Sequence, residues 1–249
     1  MSGHSKWSTI KRKKGKADAE RGRIFTRLIR EIVIAAREGG GDPNANPRLR
    51  TAVDNAKGAN MPQTNIDRAI KRGTGELPGV NYEAATYEAY APGGVAILIE
   101  VLTDNKNRTT AELRHLLSKH GGNMGEAGCV AWMFDSKGMI LINRNDVEED
   151  RILELAIDAG AEDVDLDQED VYEITTAPAE LDAVARVLRE QEIPTSQVQL
   201  IKVPSTQIQP ADKAIEQCVR LRQVLEDHDD VQAVHDNMDV SAEQLEQFL

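Results

Sequence analysis

The spacing of apolar residues predicts a helix near the start of the chain. Over residues 23–37 the apolar side chains recur every three or four positions and fall on one broad helical face. The opposite face carries a stripe of arginines: Arg23, Arg27, Arg30 and Arg37. Ile34 lies within that stripe, so we expect it to make a contact that a purely solvated face would not need.

Two shorter helices follow and complete a predicted three-helix bundle. Asn46 and Pro47 are residue types that begin a helix, and Gly58 ends it. Pro62 opens the third helix, and Gly73 follows its last apolar position. Two short helices joined by a tight turn are typical of a helix-turn-helix, whose last helix commonly enters the major groove of DNA. Small bundles also serve as protein adapters, and a basic bundle face also suits structured RNA.

The outer face of the third helix carries the side chains that we expect to contact nucleic acid. Glutamine, asparagine and arginine suit base edges, and lysine and arginine suit phosphates. The candidates on this helix are Gln63, Asn65, Arg68, Lys71 and Arg72. Arg23, Arg27 and Arg30 of the first helix belong to the same predicted surface.

Beyond the bundle, strand and helix patterns alternate. Residues 136–204 contain a complete βαββαβ series, which is typical of a ferredoxin-like domain. Residues 95–134 give one strand–helix–strand unit, with its second strand at 129–134, and another unit begins with a strand at 206–209. The simplest arrangement is one ferredoxin-like domain that is split by the insertion of another.

The predicted fold class is therefore α+β and multidomain. An N-terminal three-helix bundle precedes two ferredoxin-like α/β domains, and the last of these is inserted into the middle one. The predicted parts are a basic flexible tail at 1–22, the bundle at 23–79, a discontinuous α/β domain at 80–135 and 205–249, and an acidic inserted domain at 136–204.

Charge is distributed unevenly along the chain. The formal net charge of −12 taken alone argues against a polyanionic partner. However, residues 1–80 hold 17 Lys+Arg against 8 Asp+Glu, and residues 81–249 hold 13 against 34. Such an asymmetry favours a basic module for nucleic acid joined to an acidic body. The alternative is a set of merely solvated faces.

The first residues form a basic tail with few large apolar side chains. Its candidate phosphate contacts are Lys6, Lys11, Arg12, Lys13, Lys14 and Lys16. Trp7 has two open interpretations, which are stacking on an exposed base and docking against the body of the protein.

One loop in the acidic part has features of an anion site. Lys106 and Arg108 lie where a strand ends and a helix begins, and the N-terminus of a helix favours anions. The alternative is an ordinary N-cap and turn, for which Asn107 would suffice.

Motifs of catalysis and metal binding are lacking in the sequence. The histidines and cysteines show no zinc spacing, and no nucleophile motif is present. We therefore expect a protein that is not an enzyme and needs no cofactor, with a metal-dependent nuclease as a distant third possibility. Val130, Trp132 and Phe134 share one face of a predicted strand and are expected to pack in the core. Cys129 and Cys218 are expected to be buried reduced thiols, and with no leader or apolar span the expected location is the cytoplasm.

Four long segments resemble the YebC/PmpR family, which includes the mitochondrial translational activator of cytochrome oxidase. They are MSGHSKWSTIKRKKGKADAERGRIFTRLIREI, NPRLRTAVDNAKGANMPQTNIDRAIKRGTGE, YEAYAPGGVAILIEVLTDNKNRTTAELRH and GGNMGEAGCVAWMF. The resemblance covers essentially the whole chain. It implies a three-domain, non-enzymatic, cytoplasmic regulator of gene expression, and it supplies no catalytic residues.

Two functions follow from the residues and the resemblance together. The first is a DNA-binding transcriptional regulator that acts through the basic tail and the bundle. The alternative is a translation factor that binds the ribosome or ribosomal RNA and relieves stalling at proline runs. The expected partner is thus DNA or ribosomal RNA, with no membrane and no small-molecule substrate, and the lack of a dimerising heptad favours a monomer.

Overall fold

A computed structural model describes Trp7, residues 17–168 and residues 170–248. Its first helices are α1 (Ala17–Gly39), α2 (Pro47–Gly58) and α3 (Gln63–Gly73), so the three predicted N-terminal helices are present. Helix α1 begins six residues earlier than the apolar pattern indicated. Ala17, Ala19 and Glu20 favour a helix, but this stretch has no large apolar side chain that would reveal a helical period.

The chain forms two compact units. Unit 1 comprises Met1–Arg30, Gly79–Asp135 and Val203–Leu249, and unit 2 comprises Glu31–Pro78 and Ser136–Lys202. These units are coarser than the four-part division expected from the sequence, whose boundaries stay a prediction. Within the described part of the chain, no helix combines the length and apolar character needed to cross a bilayer.

The helical part of unit 2 is held together by apolar packing and by one buried asparagine. Ile32, Leu49 and Ile66, one from each helix, are fully buried. Asn46 caps α2 by accepting a hydrogen bond from the Leu49 N–H, and its amide donates to the carbonyl of Ala35 at 2.8 Å. Ile34 is also fully buried, which confirms that it makes a contact despite its place among arginines.

The inserted part of unit 2 has the ferredoxin-like order of elements. In chain order they are β4 (Phe134–Asn143), α5 (Glu149–Asp158), β5 (Asp163–Asp165), β6 (Val171–Thr176), α6 (Leu181–Glu190) and β7 (Gln197–Pro204). The sheet order is β5-β6-β4-β7, so the first and third strands of the series are central. The apolar faces of both helices pack on one side of this sheet, with Ile140, Ile174 and Val184 fully buried.

Polar contacts join α2 to the inserted sheet within unit 2. The Asn55 amide donates to the Val198 carbonyl at 2.7 Å and accepts from the Val198 N–H at 3.2 Å, so it bonds a residue of β7 as a neighbouring strand would. Arg50 forms a two-pronged ion pair with Asp182 of α6. Helix α2 therefore has a structural role in this unit.

Unit 1 contains a second four-stranded sheet. Its elements are β1 (Glu83–Tyr90), β2 (Ala96–Thr103), α4 (Lys106–Lys119), β3 (Asn123–Met124), α7 (Asp212–Glu226), β8 (Val231–Asp236) and α8 (Ala242–Phe248). The sheet order is β3-β1-β2-β8, and β1 and β2 form an antiparallel hairpin along their whole length. Two four-stranded sheets after an N-terminal helical region confirm the predicted fold class.

Residues 206–209, which the sequence predicted as a strand of this domain, do not form a strand of the unit 1 sheet. Residues 206–209 supply only a single bridge, between Ile208 and Met238. The central position beside β2 is taken by β1, which precedes β2 in the chain. The sequence of β1, EAATYEAY, mixes charged and small residues, because its first half is exposed and only Glu88 and Ala89 are buried. A search for apolar runs therefore misses this strand.

The predicted strand at 129–134 is also wrong. Residues Ala131–Met133 form a 3₁₀ turn, and β4 begins only at Phe134. The cause is Glu88, whose carboxylate accepts hydrogen bonds from the N–H groups of Gly128, Val130 and Ala131. Because those donors are taken, this segment does not offer them to a neighbouring strand. Val130 and Phe134 are buried as expected, but Trp132 is turned into solvent and is 70% exposed.

Candidate nucleic-acid interface

Helix α3 presents an exposed polar face. Gln63, Arg68, Lys71 and Arg72 are exposed, whereas Asn65 is half-buried at the edge of the face. Gln63 is already engaged, since its amide donates to the Asp67 carboxylate at 2.7 Å. The structure thus keeps the three basic candidates on one surface and leaves Asn65 at its margin.

The opposite face of α3 explains why this orientation is fixed. Ile66 and Ala69 are buried in unit 2. At the end of the helix, a β-carbon on Gly73 would lie only 2.5 Å from the Val33 carbonyl oxygen. Helix α3 and the C-terminal half of α1 therefore touch backbone to backbone, which holds the basic face outward.

The basic side chains of α3 are available for a ligand. Among the described residues, Arg68, Lys71 and Arg72 form no ion pair with an acidic side chain, and Asp67 is the one carboxylate on their face. Lys71 and Arg72 also lie in the last helical turn, where the helix dipole favours cations. The surface has a net positive charge, which attracts phosphate.

The arginines of α2 are used within unit 2. Arg48 pairs with Glu31 at 2.8 Å and with Glu38 at 2.5 Å, and Arg50 pairs with Asp182. These side chains therefore stabilise the unit, whereas the basic side chains of α3 form no ion pair within the part of the chain that the structure describes.

The arginine stripe of α1 faces an acidic turn in unit 1. Arg23 pairs with Asp227, and one guanidinium nitrogen of Arg30 donates to the Asp230 carboxylate at 2.7 Å. Burial lowers the pKa of Arg27 from its ordinary value, and this outweighs the raising effect of the nearby Glu226 and Asp227. In the structure described, Arg23 and Arg30 are therefore neutralised by the protein itself, and Arg27 is half-buried near the same acidic turn.

Asp230 lies at the centre of this network and is 2% exposed. Its second oxygen accepts hydrogen bonds from the Thr103 hydroxyl at 3.0 Å, the Thr109 hydroxyl at 2.6 Å and the Arg108 guanidinium at 2.7 Å. Burial alone would raise the pKa of this carboxyl. The hydrogen bonds from Thr109, Arg108, Arg30 and Thr103 outweigh burial and hold the pKa well below its usual range. The sequence signal for this turn is the acidic run EDHDD at 226–230. Local sequence patterns cannot show that this run pairs with the arginines of α1.

The loop with Lys106 and Arg108 has the geometry of an ordinary helix start. Asn105, and not Asn107, is the N-cap of α4, because its side chain accepts from the Arg108 N–H at 3.1 Å. Lys106 pairs with Glu83 at 2.8 Å, and this hydrogen bond raises the pKa of the lysine. Arg108 pairs with Asp104 and Asp230. An anion at this loop would have to compete with acidic side chains that are already in place.

Trp7 is docked in the core of unit 1. It is 2% exposed, and the guanidinium of Arg222 lies 4.5 Å from its ring centroid. Arg222 is itself buried and pairs with Glu226 and Asp236. Of the two interpretations of Trp7, docking describes this structure. The other tail candidates, Lys6, Lys11, Arg12, Lys13, Lys14 and Lys16, lie outside the described residues.

Among the described residues, one group of side chains has metal-ligand character. Glu112, His228 and Asp230 bring ligand atoms within 4.8 Å of one another. Their hydrogen bonds account for the arrangement, since His228 Nδ1 accepts from the Asp230 N–H and His228 Nε2 lies 2.9 Å from the Glu112 carboxylate. The Arg108 guanidinium, 3.8 Å from Glu112, opposes a cation there. We therefore interpret the group as part of the Asp230 network.

The fold and this surface together define a class of protein. The chain contains two four-stranded antiparallel sheets with helices packed on them, and three N-terminal helices precede them, the last of which presents an exposed basic face. Two family models match the chain: the TACO1/YebC protein N-terminal domain over residues 5–76, and the TACO1/YebC second and third domain over residues 82–238. The chain belongs to the TACO1/YebC family, as its sequence resemblance implied.

Relatives match along the full length. A protein of Desulfatibacillum aliphaticivorans is 57% identical over 96% of this chain and 97% of its own length, and one of Geobacter sulfurreducens is 53% identical over the whole of both chains. Both are named probable transcriptional regulatory proteins. The crystal structure of a conserved hypothetical protein from Aquifex aeolicus has a TM-score of 0.84 and 47% identity, and the match covers 91% of this chain and 93% of that one.

Proposed function

We propose that the protein is a regulator of gene expression that binds nucleic acid through the exposed face of α3, together with the basic N-terminal tail. The observation that carries the proposal is the set Arg68, Lys71 and Arg72. These three exposed cations have no acidic partner among the described residues, and the other face of their helix is buried in the core. Phosphate contacts by such side chains give affinity that does not depend on sequence.

Duplex DNA is the proposed ligand. Helix α3 is the second helix of a pair joined by a short turn, in which Asn60 adopts a positive φ of 59°. This is the position of the recognition helix in a helix-turn-helix. The names of the bacterial relatives, probable transcriptional regulatory proteins, support the same assignment. The protein is proposed to act in the cytoplasm, whose reducing conditions suit its two free cysteines, Cys129 and Cys218.

A triple alanine variant tests the surface. Arg68, Lys71 and Arg72 are changed together to Ala, and binding to labelled duplex DNA is measured by fluorescence anisotropy at several salt concentrations. Removal of these cations should weaken binding on every sequence. It should also lower the salt dependence by about one unit of log–log slope for each phosphate that the protein no longer neutralises.

The matched control removes the same charge from another surface. Arg114, Lys119 and Lys213 are exposed and, among the described residues, form no ion pair with an acidic side chain. Changing these three to Ala should alter DNA binding far less than the α3 variant does. Equal losses from the two variants would show that only net charge matters, and would contradict the proposed surface.

A competition experiment determines which type of nucleic acid the protein prefers. Unlabelled duplex DNA and an unlabelled ribosomal RNA fragment of equal phosphate content compete for the wild-type chain. Preferential displacement by DNA supports the transcriptional assignment. Preferential displacement by RNA, absent in the α3 variant, would assign the same surface to a ribosome-bound translation factor instead.

A further inference from the structure

Trp132 is held out in solvent on a rigid support. It is 70% exposed, the largest exposed fraction among the large hydrophobic side chains of the described residues. Its indole N–H donates to the Cys129 carbonyl at 3.2 Å, so the ring is oriented and its polar atom is already satisfied. The two faces of the indole ring are therefore the part of this side chain that can contact a binding partner.

The support is built from buried polar groups. Glu88, 9% exposed, accepts three backbone hydrogen bonds of 2.6 to 2.8 Å from the segment that precedes Trp132. Burial alone would raise the pKa of Glu88, but the N–H groups of Gly128, Val130 and Ala131 outweigh it and lower the pKa, so the carboxylate stays charged. On the other side, the N–H and hydroxyl of Ser205 both donate to the Met133 carbonyl.

This arrangement does not serve the packing of Trp132. The neighbouring Val130 and Phe134 are 0% and 7% exposed and anchor the turn at both ends. Exposure of the apolar Trp132 ring to water contributes nothing to the stability of the fold. Nevertheless, the buried carboxylate of Glu88 is used to hold the turn that carries this ring. Rigid, preorganised aromatic side chains are typical of binding hot spots, because little conformational entropy is lost when a partner binds to them.

Charge indicates the chemistry of the partner. Glu126 and Asp135 are exposed and flank Trp132 in the chain. The sheet-forming segments of unit 1, residues 79–135 and 203–249, hold 7 Lys+Arg against 17 Asp+Glu, whereas residues 1–30 of the same unit hold 10 against 2. The sheet-forming segments and the two exposed carboxylates that flank Trp132 therefore favour a cationic partner over phosphate.

We propose that Trp132 is the anchor of a docking surface for an arginine-rich segment of a partner protein. A guanidinium would stack on the indole face, the aromatic ring that binds cations best, while the exposed carboxylates Glu126 and Asp135 attract neighbouring basic side chains. This site belongs to unit 1 and the α3 surface to unit 2, and its partner is a protein instead of a nucleic acid.

The test measures binding of a fluorescein-labelled peptide of six Arg-Gly repeats to the full chain by anisotropy. Replacing Trp132 with Ala should weaken binding about two- to fivefold, the range for an exposed cation–π contact, and the ratio should persist when salt is raised. Ile157→Ala is the matched control, since Ile157 is an apolar side chain that is 59% exposed elsewhere, and it should leave binding unchanged. Equal affinity of wild type and Trp132→Ala would overturn the proposal.

A second measurement uses the wild-type chain and so does not depend on the folding of a variant. The protein has two tryptophans and hence two indole N–H resonances in an NMR spectrum. Titration with the peptide should shift the resonance of exposed Trp132 and leave that of buried Trp7 in place. A shift of Trp132 on titration with oligouridylate but not with peptide would assign the ring to base stacking and overturn the proposal. Concentration-dependent shifts without any peptide would assign it to a second copy of the chain, with the same consequence.

Discussion

Arg30 and Asp230, 200 positions apart in the chain, meet at 2.7 Å in unit 1. The same guanidinium nitrogen also donates to the backbone carbonyls of Leu102 and Asp229, so α1 is bonded to the end of β2 and to the turn before β8. One carboxylate thus connects a helix, a strand end and a helix start. The acidic turn at 226–230 is therefore a structural partner of the arginine stripe.

The first prediction concerns the carboxylate of Asp230. Asp230→Asn leaves the partly buried Arg30 without its anionic partner and places an amide donor among hydroxyl and guanidinium donors. We expect the free energy of unfolding to fall by about 3 kcal/mol, measured by urea denaturation. Asp229→Asn is the adjacent control, because the Asp229 side chain is exposed and only its carbonyl bonds Arg30. That control should change stability by less than about 0.5 kcal/mol.

The second prediction concerns acid. The pKa of Asp230 is lower in the folded chain than the ordinary value of about 3.9 that it takes when unfolded. Its contribution to stability is therefore complete above that value and is lost as the pH falls below it. The stability difference between wild type and Asp230→Asn should shrink as the pH is lowered from about 5 to about 3. A difference that is constant over this range in urea denaturation would refute this account.

The third prediction concerns the turn that carries Trp132. Glu88→Gln replaces a carboxylate that accepts three hydrogen bonds with a side-chain amide, which has one acceptor oxygen and places its NH2 group against N–H donors. We expect a loss of about 2 kcal/mol in unfolding free energy and a change in acrylamide quenching of Trp132. Glu83→Gln, at the exposed end of the same strand, is the control and should have little effect. Unchanged quenching in Glu88→Gln would mean that Glu88 does not position the ring.

The fourth prediction concerns the bond between α2 and β7. Asn55→Ala removes both hydrogen bonds to Val198 and leaves a partly buried N–H and carbonyl unpaired. The expected loss is about 1 to 2 kcal/mol, measured by thermal or urea unfolding. Lys57→Ala on the same helix, an exposed position, should be nearly neutral. Similar stabilities of the two variants would contradict a structural role for this asparagine.

The fifth prediction compares two glycines of unit 2. A β-carbon on Gly138 would overlap the Thr176 hydroxyl and lie 2.9 Å from Leu181, so Gly138→Ala should cost about 1 to 3 kcal/mol. A β-carbon on Gly58 would meet no atom within 4 Å, so Gly58→Ala should be neutral or stabilising by up to about 1 kcal/mol. Thermal unfolding of both variants measures whether each one is destabilised or stabilised. A clearly lowered unfolding temperature of Gly58→Ala would contradict this prediction.

Local signals in the sequence were enough to predict helices α1 to α7 and the inserted ferredoxin-like series, but not the short helix α8. Asn46, Pro47 and Gly58 mark helix ends through their own backbone preferences. The strand β1 and the turn at Ala131–Met133 could not be predicted in this way. Strand β1 has no apolar run, because most of it is exposed or half-buried. The turn depends on Glu88, a residue that looks polar and exposed in sequence but is buried and bonded to residues 40 to 43 positions away.

The candidate interface was also only partly predictable from the sequence. The exposed face of α3 follows from helical periodicity, and Arg68, Lys71 and Arg72 lie on it as expected. Periodicity also places Arg23, Arg27 and Arg30 on one face, but it cannot show that an acidic turn some 200 positions later covers that face. Pairing over such separations is a property of the tertiary fold, and a single sequence does not reveal it.

The order of strands in unit 1 has a consequence for synthesis on the ribosome. Strands β1, β2 and β3 are complete once residue 124 has been made, but β8, which pairs with the open edge of β2, ends at Asp236. At elongation rates of about 5 to 20 residues per second this interval is on the order of ten seconds. During it the inserted sheet, whose strands are consecutive, can be completed first, while β2 presents a bare apolar edge. Nascent chains that stop before β8 are therefore expected to be the species that chaperones and proteases encounter.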